Sequence, residues 1–149
     1  MTDIPPTSAS ERSRISSELN QADAGEVIAL ASLCLADDPE LTVTRPPATG
    51  VVVTQVRDVV AEERFILGDV MVTQAEVQRR GAFGWAMRLG SDRMAALSAA
   101  ILEAEWVAAG PRATEIEELV ERTVEARRLA RAEEWERLAP SIVEFEEIP

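Results

Sequence analysis

A chain of 149 residues is one domain by size, and 46% hydrophobic with 28% charged residues marks it as globular. Its net charge of −12 excludes sequence-independent nucleic-acid binding and disfavours acidic membranes, because both need cationic side chains to meet phosphates. His and Tyr are absent, Cys is single and all 15 cations are Arg, so the chain cannot by itself build a His-assisted nucleophile, a zinc site or an iron–sulfur centre.

The first residues are small and polar with Pro5 and Pro6 among them, so 1–10 are expected to be flexible. Met1 to Pro6 is too polar and broken for a secretory leader. The longest apolar stretch, Val27–Ala36, is far short of the ~20 residues that cross a bilayer. The chain is therefore expected to be soluble and cytoplasmic, with no membrane or nucleic-acid partner and with Cys34 a buried apolar residue. Ser8-Ala9-Ser10-Glu11 has capping-box spacing and starts a short helix with Ile15 and Leu19 on one side. Asp23 caps a second helix with Val27, Leu30, Leu33 and Cys34 on its apolar side. Asp37-Asp38-Pro39 ends it, because the residue before Pro avoids the helical region.

Extended segments follow. Leu41–Thr44 is a first strand stopped by Pro46-Pro47, Gly50 opens a second through Val56, and Arg64–Val77 is a third interrupted by Gly68-Asp69. After a turn at Arg80-Gly81-Ala82, Phe83, Trp85, Met87 and Leu89 alternate with Gly84, Ala86 and Arg88, which is the clearest strand signal in the chain. Asp92 caps a helix with a stripe of Met94, Leu97, Ile101, Ala104 and Ala108, and Ala95, Ala96, Ala99 and Ala100 let a neighbouring backbone approach. Gly110-Pro111 breaks it. Thr114 to Glu117 is a second capping box, leading a charged helix to about Leu138 with i,i+4 pairs Glu118–Arg122 and Glu133–Arg137. In the tail, Ile142, Val143 and Phe145 can dock as a short strand. This order predicts an α+β fold: an antiparallel sheet of about four strands with two N-terminal and two C-terminal helices. It forms a single domain over 11–139, with a tail at 140–149.

The stretch from Glu63 through Phe65, Gly68-Asp69 and Thr73 to Val77 resembles the G-subunit family of the phosphonate carbon–phosphorus lyase system: an aromatic-led strand, Gly with an acidic residue, then a Thr-containing strand. The resemblance continues through Gly84-Trp85 and Gly90-Ser91-Asp92 to Ile101–Ala104, and reaches back to Ala48–Val51 and forward to Arg128–Arg131. Two positions depart from the family pattern. Ser91 stands where Arg is frequent and Leu97 where an acidic residue is frequent, so any phosphate-holding role of that Arg would fall to another residue here.

The resemblance implies a non-autonomous subunit of a cytoplasmic core assembly of four kinds of chain. With an accessory nucleotide-binding protein, that assembly lets a phosphonate displace adenine from ATP, giving a ribose 1-phosphonate 5-triphosphate. A radical iron–sulfur subunit later breaks the carbon–phosphorus bond. The partners it implies are the other core subunits, with ATP and phosphonate as substrates of the complex. Catalytic and metal-binding groups are expected in those other subunits, with no cofactor or metal held by this chain and no catalytic residue assigned in it.

Candidate site residues are few. Gly68-Asp69 is either a hairpin turn or a bend within a strand, or else a point where a partner backbone or a phosphate-bearing ligand comes close, with Arg64 upstream as an anion contact. Gly90-Ser91-Asp92 leads into a helix whose first amides bind anions well, although Asp92 as a simple cap would repel them. Arg79-Arg80 is a solvated turn or a contact for an acidic partner. Trp85 and Trp106 are core candidates, whereas Trp135, late on a charged helix, is an interface candidate. Two competing readings are a catalytic polypeptide using Asp69 with Arg64, which lacks a Gly-rich phosphate cradle, and an unrelated α+β dimeric interaction module.

Overall fold

The computed structural model describes residues 8–141. The expectations for a mobile start and a docking tail therefore concern residues outside those described, apart from Ser8, Ala9 and Ser10, which cap and open a helix instead of forming a flexible end. Helices α1 (Ala9–Gln21) and α2 (Ala24–Asp37) precede strands β1 (Thr42–Arg57), β2 (Arg64–Arg79) and β3 (Ala82–Leu89). Helices α3 (Arg93–Val107) and α4 (Ala113–Leu138) and a short 3₁₀ turn follow. The sheet is an antiparallel meander in the order β1-β2-β3, so the class is α+β as read from the sequence. No helix among the described residues is long and apolar enough to cross a membrane.

The helix starts follow local chemistry. The Ser8 hydroxyl accepts from Glu11 N, the Asp23 carboxylate from Glu26 N and the Asp92 carboxylate from Ala95 N, each satisfying an orphan amide of a first turn. The box expected at Thr114 does not form. α4 starts at Ala113, with Arg112 in the cap position two residues before Thr114 and no side-chain cap bond. Glu117 is instead occupied by the Trp106 indole N–H at 2.9 Å. Arg112 clamps the two carboxylate oxygens of Asp37 at 2.6 and 3.1 Å and also bonds Glu115. That hydrogen bond holds the Asp37 carboxyl below its ordinary range and the Arg112 guanidinium above its own.

The sheet has three strands rather than four. Pro46-Pro47 does not stop β1, which runs on with register shifts between Val43 and Ala48. β1 is an edge strand, and a proline facing away from the ladder removes no needed donor there. Gly68-Asp69 does not interrupt β2 either. Thr54 pairs with Gly68 and Gln55 with Ile66, which leaves Leu67 as the extra residue of a bulge. The β2–β3 turn is a two-residue hairpin in which Arg80 (φ 48°) and Gly81 (φ 77°) both take left-handed backbone, as its twist requires.

One face of the sheet carries Thr73, Ala75, Val77 and Arg79 of β2 with Gly84 and Ala86 of β3, all buried beneath α3. An ideal Cβ on Gly84 would stand 2.0 Å from the Ala100 carbonyl oxygen, so β3 and α3 touch backbone to backbone. The alanines of α3 permit that approach, and the helix is buried from Ala95 through Trp106 except at Leu97. Ile15 and Leu19 of α1, Val27, Leu30 and Cys34 of α2, and Ile116, Leu119 and Val120 of α4 complete the core. Leu33 and Met94, expected on apolar stripes, are exposed. Trp106 is core; Trp85 is not, and lies partly open on the far face of the sheet. Arg122 reaches Glu26 on α2 at 3.2 Å instead of Glu118, and no ion pair joins Glu133 to Arg137 among the described residues.

Candidate functional site

The two family-like motifs meet where β1 and β2 leave the rest of the sheet. β3 ends opposite Val72 at Leu89, and the next residue, Gly90, donates its amide to Met71 O at 2.9 Å. Asp69 is two residues further along β2. Gly90 has φ 91°, which turns the chain from β3 into α3 without a Cβ penalty. Its carbonyl accepts the Thr73 hydroxyl at 2.8 Å, and Thr73 and Thr49 share a hydroxyl–hydroxyl bond at 3.0 Å. Thr73 is fully buried, so this chain of bonds pins β1, β2 and the β3–α3 junction together. Sequence reasoning noted Thr73 only as part of the family pattern. The pairing with Thr49 depends on register, which local composition does not reveal.

Asp92 is spent on Ala95 N, so the α3 N-terminus already carries a carboxylate and serves as an ordinary capped start. Ser91 is exposed beside it, and Leu97 packs partly against the core. Gly68 sits opposite Thr54 at the bulge, with open space where a side chain would project. Of the readings given for it, a bend within a strand is what the backbone shows. Arg64 lies opposite Arg57 at the far end of β2, and at ~3.3 Å per residue its Cα is roughly 15 Å from that of Asp69. The structure does not bring those two together as a charged pair.

Arg79 and Arg80 behave differently from a solvated turn. Arg79 is fully buried, and its Nε donates to Glu105 Oε2 at 2.7 Å. Its other nitrogens donate to the carbonyls of Cys34, Asp38 and Glu40 at 2.7, 2.7 and 2.5 Å. It is therefore closed to an acidic partner chain. Arg80 is partly open but bonds Glu105 at 3.2 Å and Asp38 at 3.0 Å. Glu105 Oε1 is the buried polar atom left without a partner among the described residues. Burial, with Glu105 nearby, pushes the Cys34 thiol up to about 11.

A second buried carboxylate closes the edge of β3. Glu103 accepts the Trp85 amide and the Arg12 Nε, while Arg12 also donates to Phe83 O and Asn20 accepts the Met87 amide. α1 thus covers that edge through side chains. Neither Glu103 nor Glu105 was legible as important, since each lies in an alanine-rich helical run whose apolar period it interrupts.

Large apolar side chains remain open as well. β1 and β2 continue beyond Leu89 as a two-stranded ribbon with Val51, Val53, Phe65, Ile66 and Leu67 exposed. α4 continues past Thr123, its last buried residue, to Trp135, which is 64% exposed. No group of three His, Cys, Asp or Glu side chains among the described residues is placed to hold a metal ion.

These features define an α+β domain whose polar side chains stitch its own framework and whose apolar surplus lies on a projecting arm and a helix end. The chain belongs to the phosphonate metabolism protein PhnG family, whose model matches residues 10–148, and phosphonate metabolism is thereby its setting. No curated protein matches the chain.

Proposed function

We propose that this chain is a non-autonomous subunit of the cytoplasmic carbon–phosphorus lyase core, needed for the step in which a phosphonate displaces adenine from ATP. Its partners in this reading are the other core subunits, ATP and phosphonate are substrates of the complex, and the chain itself holds no cofactor. The family match over residues 10–148 carries the reading, and it disfavours an unrelated dimeric module.

The geometry supports a helper over a self-sufficient catalyst. Displacing adenine needs an acid for the leaving base and charge stabilisation at the ribose. Asp69 and Arg64 stand apart along one strand, and the buried carboxylates Glu103 and Glu105 are bonded to Arg12, Arg79 and Arg80. Incubating the purified chain with ATP and methylphosphonate is expected to release no adenine above background. Adding the other core chains and the accessory nucleotide-binding protein is expected to start release that depends on this chain. Sustained turnover by the chain alone, or full turnover without it, refutes the proposal.

A further inference from the structure

The ribbon formed by residues 51–57 and 64–71 is unusual in having both faces and both edges open. β3 pairs with β2 only as far as Val72, so from there to the Asp58–Glu63 turn the two strands pair with each other alone. Successive residues of a strand point to opposite faces. Val51, Val52 and Val53 are nevertheless all exposed, at 63%, 40% and 58%, as are Phe65, Ile66, Leu67 and Met71. These seven residues expose roughly 700 Å² of mostly apolar surface in total, shared between the ribbon's two faces, so each face carries a patch of a few hundred Å². A two-stranded ribbon is marginal in water by itself.

The β1 edge is also unguarded. Exposed edges are normally blunted by charges or prolines. Here Pro46-Pro47 covers the end beside the sheet body, and no charged side chain occurs from Gly50 to Val56. Beside this edge, the methyl of Ala48 and the bare backbone of Gly50 leave a hollow of about 170 Å³, bounded by Val52, Val72, Gln74 and Met87. Charge on the arm stands at its end, where Arg57 and Arg64 face each other across the ladder, and at Asp69 of β2, opposite Val53. Arg57 is met by Glu62 at 3.2 Å, whereas Arg64 has no ion-pair partner among the described residues. A second copy fits poorly. Two-fold antiparallel pairing over 50–57 would set Gly50 opposite Arg57 and bring no acidic side chain to the Arg57–Arg64 end, because residues 48–57 contain none. It would also join two chains of net charge −12.

We propose that the ribbon's β1 edge, from Gly50 to Arg57, takes an extended segment of a different protein chain, uncharged except at one end, as an added strand. An apolar side chain of that segment fills the hollow, and an acidic residue at its end meets Arg64. This inference rests on the proposed function in one respect: the other chain is taken to be a subunit of the same core. Main-chain bonding along the edge supplies affinity, and alternate side chains supply specificity.

The test is co-expression of the full chain with the other three core chains, followed by sizing of the assembly and hydrogen exchange. Val52→Asp, Ile66→Asp and Arg64→Glu change side chains that are open in the isolated chain, so its melting temperature is expected to stay within ~2 °C, as for surface substitutions. Each is expected to weaken assembly, the two apolar-to-acid changes by roughly tenfold or more. Amides from Gly50 to Val56 are expected to exchange more slowly in the assembly than in the isolated chain. Assembly that survives all three substitutions, with those amides unprotected, overturns the docking proposal and leaves the proposed function standing. Failure of the unaltered chain to join the other three overturns the proposed function and the named partner together. Self-association of the unaltered chain that protects the same amides and is lost in Val52→Asp overturns the choice of a different chain.

Discussion

Replacing Arg79 by Met keeps an unbranched apolar stem and removes the guanidinium that joins β2 to α3, to the end of α2 and to the lead into β1. The change deletes the bond to Glu105 at 2.7 Å and frees the carbonyls of Cys34, Asp38 and Glu40. Breaking one side of a buried ion pair costs ~3–5 kcal/mol, because the remaining charge has lost its compensation. The orphaned carbonyls would add to this, but Arg80 still reaches the same Glu105 oxygen at 3.2 Å and offsets part of the loss. A net cost of about 4 kcal/mol is a large part of the ~5–15 kcal/mol that holds a domain folded. At ~2–4 °C per kcal/mol for this chain length, the melting temperature is expected to fall by ~8–16 °C, read by circular dichroism. The double variant Arg79→Met/Glu105→Met removes both charges and is expected to melt above the single variant, since apolar replacement of a whole buried pair is often near neutral. A single variant melting within ~2 °C of the parent would refute the assignment of Arg79 as the internal tie. So would a double variant less stable than the single one.

Gly84→Val places a side chain where even a Cβ would lie 2.0 Å from Ala100 O, so β3 and α3 must part; a loss of ~3 kcal/mol or more is expected in urea unfolding. Gly50→Ala, where the added Cβ meets nothing within 4 Å, is the control and is expected to lose less than ~1 kcal/mol. Cys34 is expected to resist alkylation at pH 8 in the native chain and to react once urea unfolds it, because its thiol is raised from 9.0 to about 11. With the folded value above the unfolded one, that burial stabilises fully below about pH 9 and its contribution is lost as pH climbs towards 11, a slope that Cys34→Ser is expected to remove. Trp135→Ala is expected to leave the melting of the isolated chain unchanged and to weaken co-purification with partner chains; the reverse pattern would make Trp135 a core residue.

The parts of the fold that were legible in the sequence are those settled within one turn or one strand. Ser8, Asp23 and Asp92 each cap an amide three residues away, so their roles need no knowledge of the rest of the chain. The alternation from Phe83 to Leu89 likewise reports directly on two faces of one strand. The misread parts depend on distant partners. Pro46-Pro47 stops a central strand but not an edge, and only the sheet order tells which β1 is. Thr114 has capping-box spacing, but Arg112 and Glu117 are drawn to Asp37 and Trp106. Arg79 beside Arg80 looks like a wet turn until Cys34 of α2 and Glu105 of α3, 45 and 26 residues away, close over it. The candidate site shared this fate: Gly90 and Asp69 come together through register, while Arg64 is carried away from both along the ribbon.

The exclusive use of Arg gains a physical reading from the same long-range bonds. Neither α1 nor α2 has a basic residue in its last turn, although a helix C-terminus carries partial negative charge and unpaired carbonyls. The strands supply the missing cations. Arg88 of β3 donates to Leu19 O and Ala22 O at the end of α1 at 2.5 and 2.6 Å. Arg79 of β2 does the same for Cys34 O and Asp38 O at the end of α2. Each is a planar fork spanning two carbonyls, which the single ammonium of Lys does not match. Burial lowers the Arg88 guanidinium from its ordinary value, yet the carbonyls it holds would otherwise be left unpaired. Forks committed in this way are closed to phosphate. Any recognition of an anionic group or an acidic partner would fall to arginines outside the framework, and Arg64, exposed on the arm and unpaired among the described residues, stands where the proposed docking would bring such a group.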